Sequence, residues 1–171
     1  MRFVMPFLVV FITLLFTHNS VNAQSSGALI EKAIELIDKN DFPTAEQILD
    51  MVIKKEPRNA LGHYYMAEVI FSQKKEYETR LNSSWRSARA NYYYRKAAKF
   101  DPNSKQGLDA LAKAIRIEKG PWGREAVCYF EAMEWLDDCQ KTAADDRDEV
   151  KYLVGCAIEF LPKKEACFKA R

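Results

Sequence analysis

Few side chains in this sequence could carry out chemistry. Its 171 residues include two histidines, His18 and His63, and His63 falls on an apolar helical face where a packed imidazole is the ordinary case. His18 leaves with the expected signal segment, and His63 alone is a poor basis for a catalytic triad, a histidine-rich metal site or a proton shuttle. Neither a glycine-rich phosphate loop nor a Gly-x-Ser-x-Gly elbow occurs. Asp137-Asp138 and Asp145-Asp146 are adjacent carboxylates, but they lie at expected helix ends and linkers, where solvated caps are the usual role. The expectation is therefore a protein with no catalytic residue, no metal and no cofactor.

The four cysteines, Cys128, Cys139, Cys156 and Cys167, all lie in the C-terminal third. No Cys-x-x-Cys pair is present for thiol exchange, and the spacings are too wide for a zinc knuckle, which leaves structural disulfides as the leading role. Residues 125–141 read as one helix, so Cys128 and Cys139 stand about 16 Å apart along it. Bridged Cα atoms lie within about 7 Å, so these two must bond elsewhere. A further helix can run through Val150, Leu153, Val154, Cys156 and Ile158 until Pro162. With a turn near Ala143 and Ala144, Cys128 pairs with Cys156, leaving Cys139 for Cys167. Nested bridges, Cys128 to Cys167 and Cys139 to Cys156, are the alternative, for which Pro162 is an obstacle.

The elements that position these residues follow from periodicity. Arg2, an apolar run over residues 4–16 broken by Pro6, polar Thr17-His18-Asn19 and then Val21-Asn22-Ala23 have the layout of a secretory signal peptide, residues 1–23, cleaved before Gln24. The run is shorter than the roughly 20 residues that span a bilayer, so no stable membrane span is expected after cleavage. Export to the periplasm or the extracellular space suits the cysteines. Lys and Arg total 26 against 24 Asp and Glu, which is no signature of a polyanion partner. Trp85 to Arg89 and Asn91 to Lys96 mix aromatics and bases, but on a helix Tyr94 faces with Ala90 and Ala97, so nucleic acid is not expected.

One spacing recurs. Ala45, Leu49, Val52 and Pro57 share their internal offsets with Ala90, Tyr94, Ala97 and Pro102, each set describing an apolar helix face stopped by proline. A first helix passes through Leu29, Ala33, Leu36 and Ile37 with Ser26 as its cap, residues 39–43 break it, and residues 44–55 resume. His63, Ala67 and Ile70 open a second hairpin, and Leu108, Leu111, Ala112 and Ile115 a third. That third hairpin continues through the breaker Lys119-Gly120-Pro121-Trp122-Gly123 to Ala126, Phe130 and Met133. Extra residues over 71–88 suggest that both helices of the second hairpin are lengthened, with a turn near Asn82. The acceptor sequence Asn82-Ser83-Ser84 makes Asn82 a candidate glycosylation site.

These positions resemble the tetratricopeptide repeat over residues 26 to 135. The resemblance implies an all-α fold, a short α-solenoid of about three antiparallel hairpins (24–59, 60–104 with an extended hairpin, 105–141), and the cysteines add a disulfide-stapled helical cap (142–171), all as one domain over 24–171. It also implies a concave face built from the first helices. Here that face would carry Ile30, Ile34 and Ile37, then Tyr64, Glu68 and Phe71, then Asp109, Lys113 and Arg116, although Ile30 and Ile34 fit a core role nearly as well. The last six residues form the expected binding groove, with an apolar part of a partner near Tyr64 and Phe71 and an acidic group near Lys113 and Arg116. The implied function is a non-catalytic, exported scaffold for a protein or peptide. A secreted enzyme or redox protein using the cysteines, and a structural subunit of an envelope or extracellular assembly, are the alternatives, and the oligomeric state is open.

Overall fold

A short polar side chain precedes most of the apolar runs and caps the helix that follows. The computed structural model describes residues 24–73 and 78–144, which form six helices: α1 (Ser26–Asp38), α2 (Phe42–Lys55), α3 (Ala60–Ser72), α4 (Arg80–Phe100), α5 (Lys105–Glu118) and α6 (Gly123–Ala144). Ser25, Asp41, Asn59, Thr79 and Ser104 each accept from a backbone N–H three residues on, supplying an acceptor to a donor that has no partner inside the helix. Pro57 and Pro102 follow the ends of α2 and α4, because the residue before a proline is pushed out of the helical basin. Asn40 closes α1 at φ 60°, with Asn40 N–H bonded to Ile37 O and Asp41 N–H to Leu36 O, a left-handed cap that a side chain of this type tolerates.

The helices pack as adjacent antiparallel pairs. Ala33, Ala45, Leu49, Val52, Met66, Ala67, Val69 and Ile70 fill the space between α1, α2 and α3, and Ala90, Tyr94, Ala97 and Ala110 carry that core across α4 to α5. Both members of the repeated spacing are buried: Ala45, Leu49 and Val52 on α2, and Ala90, Tyr94 and Ala97 on α4. Helix α4 is the hub. It packs extensively on α3, α5 and α6, whereas α5 and α6 touch each other only sparingly. The two are joined by residues 119–122, and the chain at Gly123 doubles back so closely that a Cβ there would lie 1.7 Å from Glu118 O.

The α4–α6 seam differs in kind from the rest of the interior. Lys96 is buried on α4, and its Nζ lies 2.6 Å from Glu134 and 2.5 Å from Asp137 of α6. Tyr92 donates to the same Asp137 at 3.0 Å, and Lys99 pairs with Glu134.

Several local expectations change. Ser25 caps α1 in place of Ser26, whose buried hydroxyl donates to Glu56 at 2.5 Å. The break in the second hairpin falls within residues 73–79, so Asn82 lies in the first turn of α4, and only α4 is lengthened. That lengthened end does not stand free. Trp85 packs edge-on against Tyr129 of α6 at 5.1 Å, and Arg86 clamps Glu78 and donates to Phe71 O at 2.8 Å. Ala143 and Ala144 are helical and are not a turn. The segments expected to be the signal peptide and most of the cap, with Cys156 and Cys167, lie outside the described residues.

Candidate functional site

Three residues on α3 and three on α5 repeat one spacing. Tyr64, Glu68 and Phe71 follow the offsets four and three, as do Asp109, Lys113 and Arg116, so each triplet forms a stripe on one helix face. The fold sets the stripes side by side, and residues 45 apart in sequence meet. Tyr64 Oη donates to Asp109 Oδ2 at 2.7 Å, and Lys113 Nζ donates to Glu68 Oε1 at 2.5 Å. Lys113 also pairs with Asp109 at 2.8 Å and donates to Tyr64 Oη at 3.1 Å, while Tyr94 from α4 donates to Glu68 at 2.6 Å.

This network shifts its members' protonation. Burial works against the charge on Lys113, but hydrogen bonds to Asp109, Glu68 and Tyr64 outweigh it and hold the ammonium above its usual range. Lys113 and then Tyr64 hold Asp109 below the usual carboxylate range. Burial, then Glu68, keeps the Tyr94 phenol protonated far above neutrality, and burial together with Asp109 raises Tyr64. Lys113 therefore has two internal carboxylates and is not the open cation that the sequence suggested. Arg116 is exposed and has no ion pair among the described residues.

Beside the network lies a cavity of about 270 Å³, bounded by α3, α4, α5 and the linker that follows α5. Phe71, Ile117, Pro121 and Trp122 give it apolar walls, Tyr94 and Ser87 of α4 line it further, and Glu68, Lys113 and Arg116 also face it. Phe71 is 46% exposed, with the Arg86 guanidinium 5.4 Å from its ring centroid. Of the six groove residues expected from the sequence, four line this cavity, and Tyr64 and Asp109 brace it through Lys113. The contributions of Ser87, Tyr94, Ile117 and Trp122 were not anticipated. Their signal was the Gly120-Pro121-Trp122-Gly123 linker, which departs from a short turn by carrying a large aromatic.

The remaining candidates are placed as follows. Ile30 is core, and Ile34 and Ile37 pack partly against it, so the N-terminal stretch of the expected groove is interior. His63 is buried between Tyr93 and Phe100, its Nε2 lies 2.9 Å from Pro57 O, and burial depresses its pKa. Asn82 is exposed. Cys128 and Cys139 are buried on α6 and neither is a free thiol. Among the described residues no group of three potential ligands could hold a metal ion, and no helix is long and apolar enough to cross a membrane.

One curated sequence matches this chain over most of its described residues. The chain is similar to a tetratricopeptide repeat protein. It is 31% identical over 114 residues to tetratricopeptide repeat protein 37 of Xenopus laevis, a match covering 67% of this chain and 7% of that protein. The chain thus matches only a small part of the length of this relative. No family model and no solved structure matches it. The all-helical architecture is consistent with tetratricopeptide-like repeats.

Proposed function

We propose that this chain is a non-catalytic scaffold that binds a segment of another protein along the α3–α5 face, with the cavity at Phe71 as its anchor point. The observation that carries this reading is the cavity itself: a concave, largely apolar recess whose floor is fixed by the hydrogen-bonded network of Tyr64, Glu68, Tyr94, Asp109 and Lys113. The similarity to a tetratricopeptide repeat protein supports it, because stacked hairpins present such faces to extended segments. Peptides selected by display on the full chain, titrated against its backbone amide spectrum, test it. Shifts concentrated on α3, α5 and residues 119–122 are expected. Selected peptides that instead shift α1 and the outer side of α2 would overturn the assignment.

The same proposal includes export and a disulfide-stapled C-terminal end. The signal-like residues 1–23 and the four cysteines support export, and the absence of a free thiol at Cys128 or Cys139 supports bridging. Because α6 is helical through Ala144, the turn expected near Ala143 and Ala144 is not at that place. Eleven residues separate both Cys128 from Cys139 and Cys156 from Cys167, a spacing that suits nested bridges, whereas Pro162 favours the other pairing. The pairing proposed from the sequence, Cys128 to Cys156 with Cys139 to Cys167, and the nested alternative, Cys128 to Cys167 with Cys139 to Cys156, both remain open. Mass spectrometry of the native protein after non-reducing digestion distinguishes them, and it reports whether the chain begins at Gln24 and whether Asn82 carries a glycan.

A further inference from the structure

The wall formed by Gly120, Pro121 and Trp122 has two sides. One closes the apolar cavity beside Phe71, and the other borders a wider, more polar recess of about 780 Å³ that includes Arg80 and Arg124. The Arg80 guanidinium stacks over Trp122, 5.2 Å from the ring centroid. Arg80, Arg116 and Arg124 are all exposed, and none has an ion pair among the described residues. The acids nearby are largely engaged elsewhere: Asp109, which feels the Arg116 charge, is bonded to Lys113 and Tyr64. Glu68 is engaged by Lys113 and Tyr94, Glu118 is held by Arg95 from α4, and Glu125 alone remains among the carboxylates lining the two recesses. The Lys113 network carries two carboxylates for one ammonium, so one end of the face is weakly acidic and the end around Trp122 is basic.

From this asymmetry we infer that the partner is an acidic segment: one large apolar side chain enters the cavity between Phe71 and Trp122, and adjacent Asp or Glu side chains reach Arg80, Arg116 and Arg124. The inference rests on the binding reading above. A cavity of about 270 Å³ suits a single side chain more than a drug-sized ligand. Aromatic walls reward an aromatic or leucine anchor. Guanidinium groups bind carboxylates bidentately, and the Trp122 ring holds the Arg80 guanidinium at the mouth of the recess. Charge also fixes orientation, since acidic residues on the wrong side of the anchor would meet Glu68 and Asp109.

The test uses the full chain and synthetic twelve-residue peptides with one central Trp and flanks of Glu, of Ser, or of Lys, followed by fluorescence anisotropy and by the Trp122 indole signal, assigned with Trp122→Phe. The acidic peptide is expected to bind at least tenfold more tightly than the Ser peptide, with a steep loss as salt is raised. Reversing both Arg80→Glu and Arg124→Glu should cost the acidic peptide at least tenfold and leave the Ser peptide unchanged, while Lys32→Glu on α1 should change neither. Equal binding of the acidic and Ser peptides overturns the acidic preference and leaves the binding face intact. Failure of every peptide, including those selected by display, to shift the Trp122 signal overturns both readings. Binding of vesicles containing phosphatidylserine without any acidic peptide would assign the arginines to a lipid surface and overturn the inference.

Discussion

The α1–α3 block and the α4–α6 seam are both helix against helix, yet they are held by different forces. In the first, Ala33, Ala45, Leu49, Val52, Ala67 and Ile70 let the backbones approach closely and exclude water, so its stability comes from burial and packing. In the second, Lys96 sits in the interface with Glu134 and Asp137 on either side and Tyr92 completing the network. The comparison teaches that two repeats of similar geometry need not share an energetic basis. A polar seam specifies which faces meet, because a displaced Lys96 would be buried without a partner, and it leaves the end of the molecule sensitive to pH and salt.

The comparison can be broken most directly in the apolar block. Leu49 is fully buried, and Leu49→Ala should cost about 3 kcal/mol from lost burial and the cavity left behind, read by urea denaturation. This loss should be nearly independent of salt. In the seam, Lys96→Ala leaves two carboxylates facing each other, and a loss of about 2 kcal/mol is expected, below the usual range for a deeply buried pair because Glu134 and Asp137 keep partial access to water. Its signature is local: amide exchange should accelerate along α6 and much less along α1 and α2.

Acid should separate the two regions by pH. Burial opposes the charge on Glu134, but hydrogen bonds and charge from Lys96 and Lys99 hold its carboxyl below the usual value of 4.5, so the folded form binds fewer protons than the unfolded one. The stability this provides is present above about pH 4.5 and is lost as pH falls through the folded value. His63 behaves likewise higher on the scale. Burial depresses it below 6.5, so its contribution declines as pH drops below about 6.5. A pH titration followed by exchange at α3 and at α6 should therefore show α3 weakening first and the seam later. Simultaneous loss at both would contradict separate origins. The smallest effect is expected at the binding face, where Tyr64→Phe removes a hydrogen bond to Asp109 that Lys113 partly replaces, costing about 1 kcal/mol.

How much of this was legible in the sequence varied by region. The apolar block was readable because its residues recur at helical intervals and its stops are prolines, and Ala45, Leu49, Ala90 and Tyr94 all face inward as spacing requires. That Tyr64, Glu68, Asp109 and Lys113 share one face followed from the spacing, but their bonding to one another did not, since spacing shows which side chains lie on a face without showing whether they bond. Ile30 was ambiguous because a first helix has both a core side and a concave side within one turn of each other. The seam was hidden altogether. Nothing in the local pattern around Lys96 distinguishes a lysine facing solvent from one facing Glu134 and Asp137, about forty residues away. The turn placed near Asn82 was misjudged because charged helix formers mark the second hairpin's linker, and the cap at Thr79 alone showed where α4 begins.

The central claim, that the cavity face is where another protein is held, is tested most directly by photocrosslinking in the protein's native compartment. Phe71 is replaced by p-benzoylphenylalanine, and Met51, equally exposed but on α2, carries the same probe in a second variant. The account predicts a discrete protein adduct from position 71, lost when Arg80 and Arg124 are both reversed to Glu, and none from position 51. An adduct that forms from position 51 and not from position 71 would contradict it.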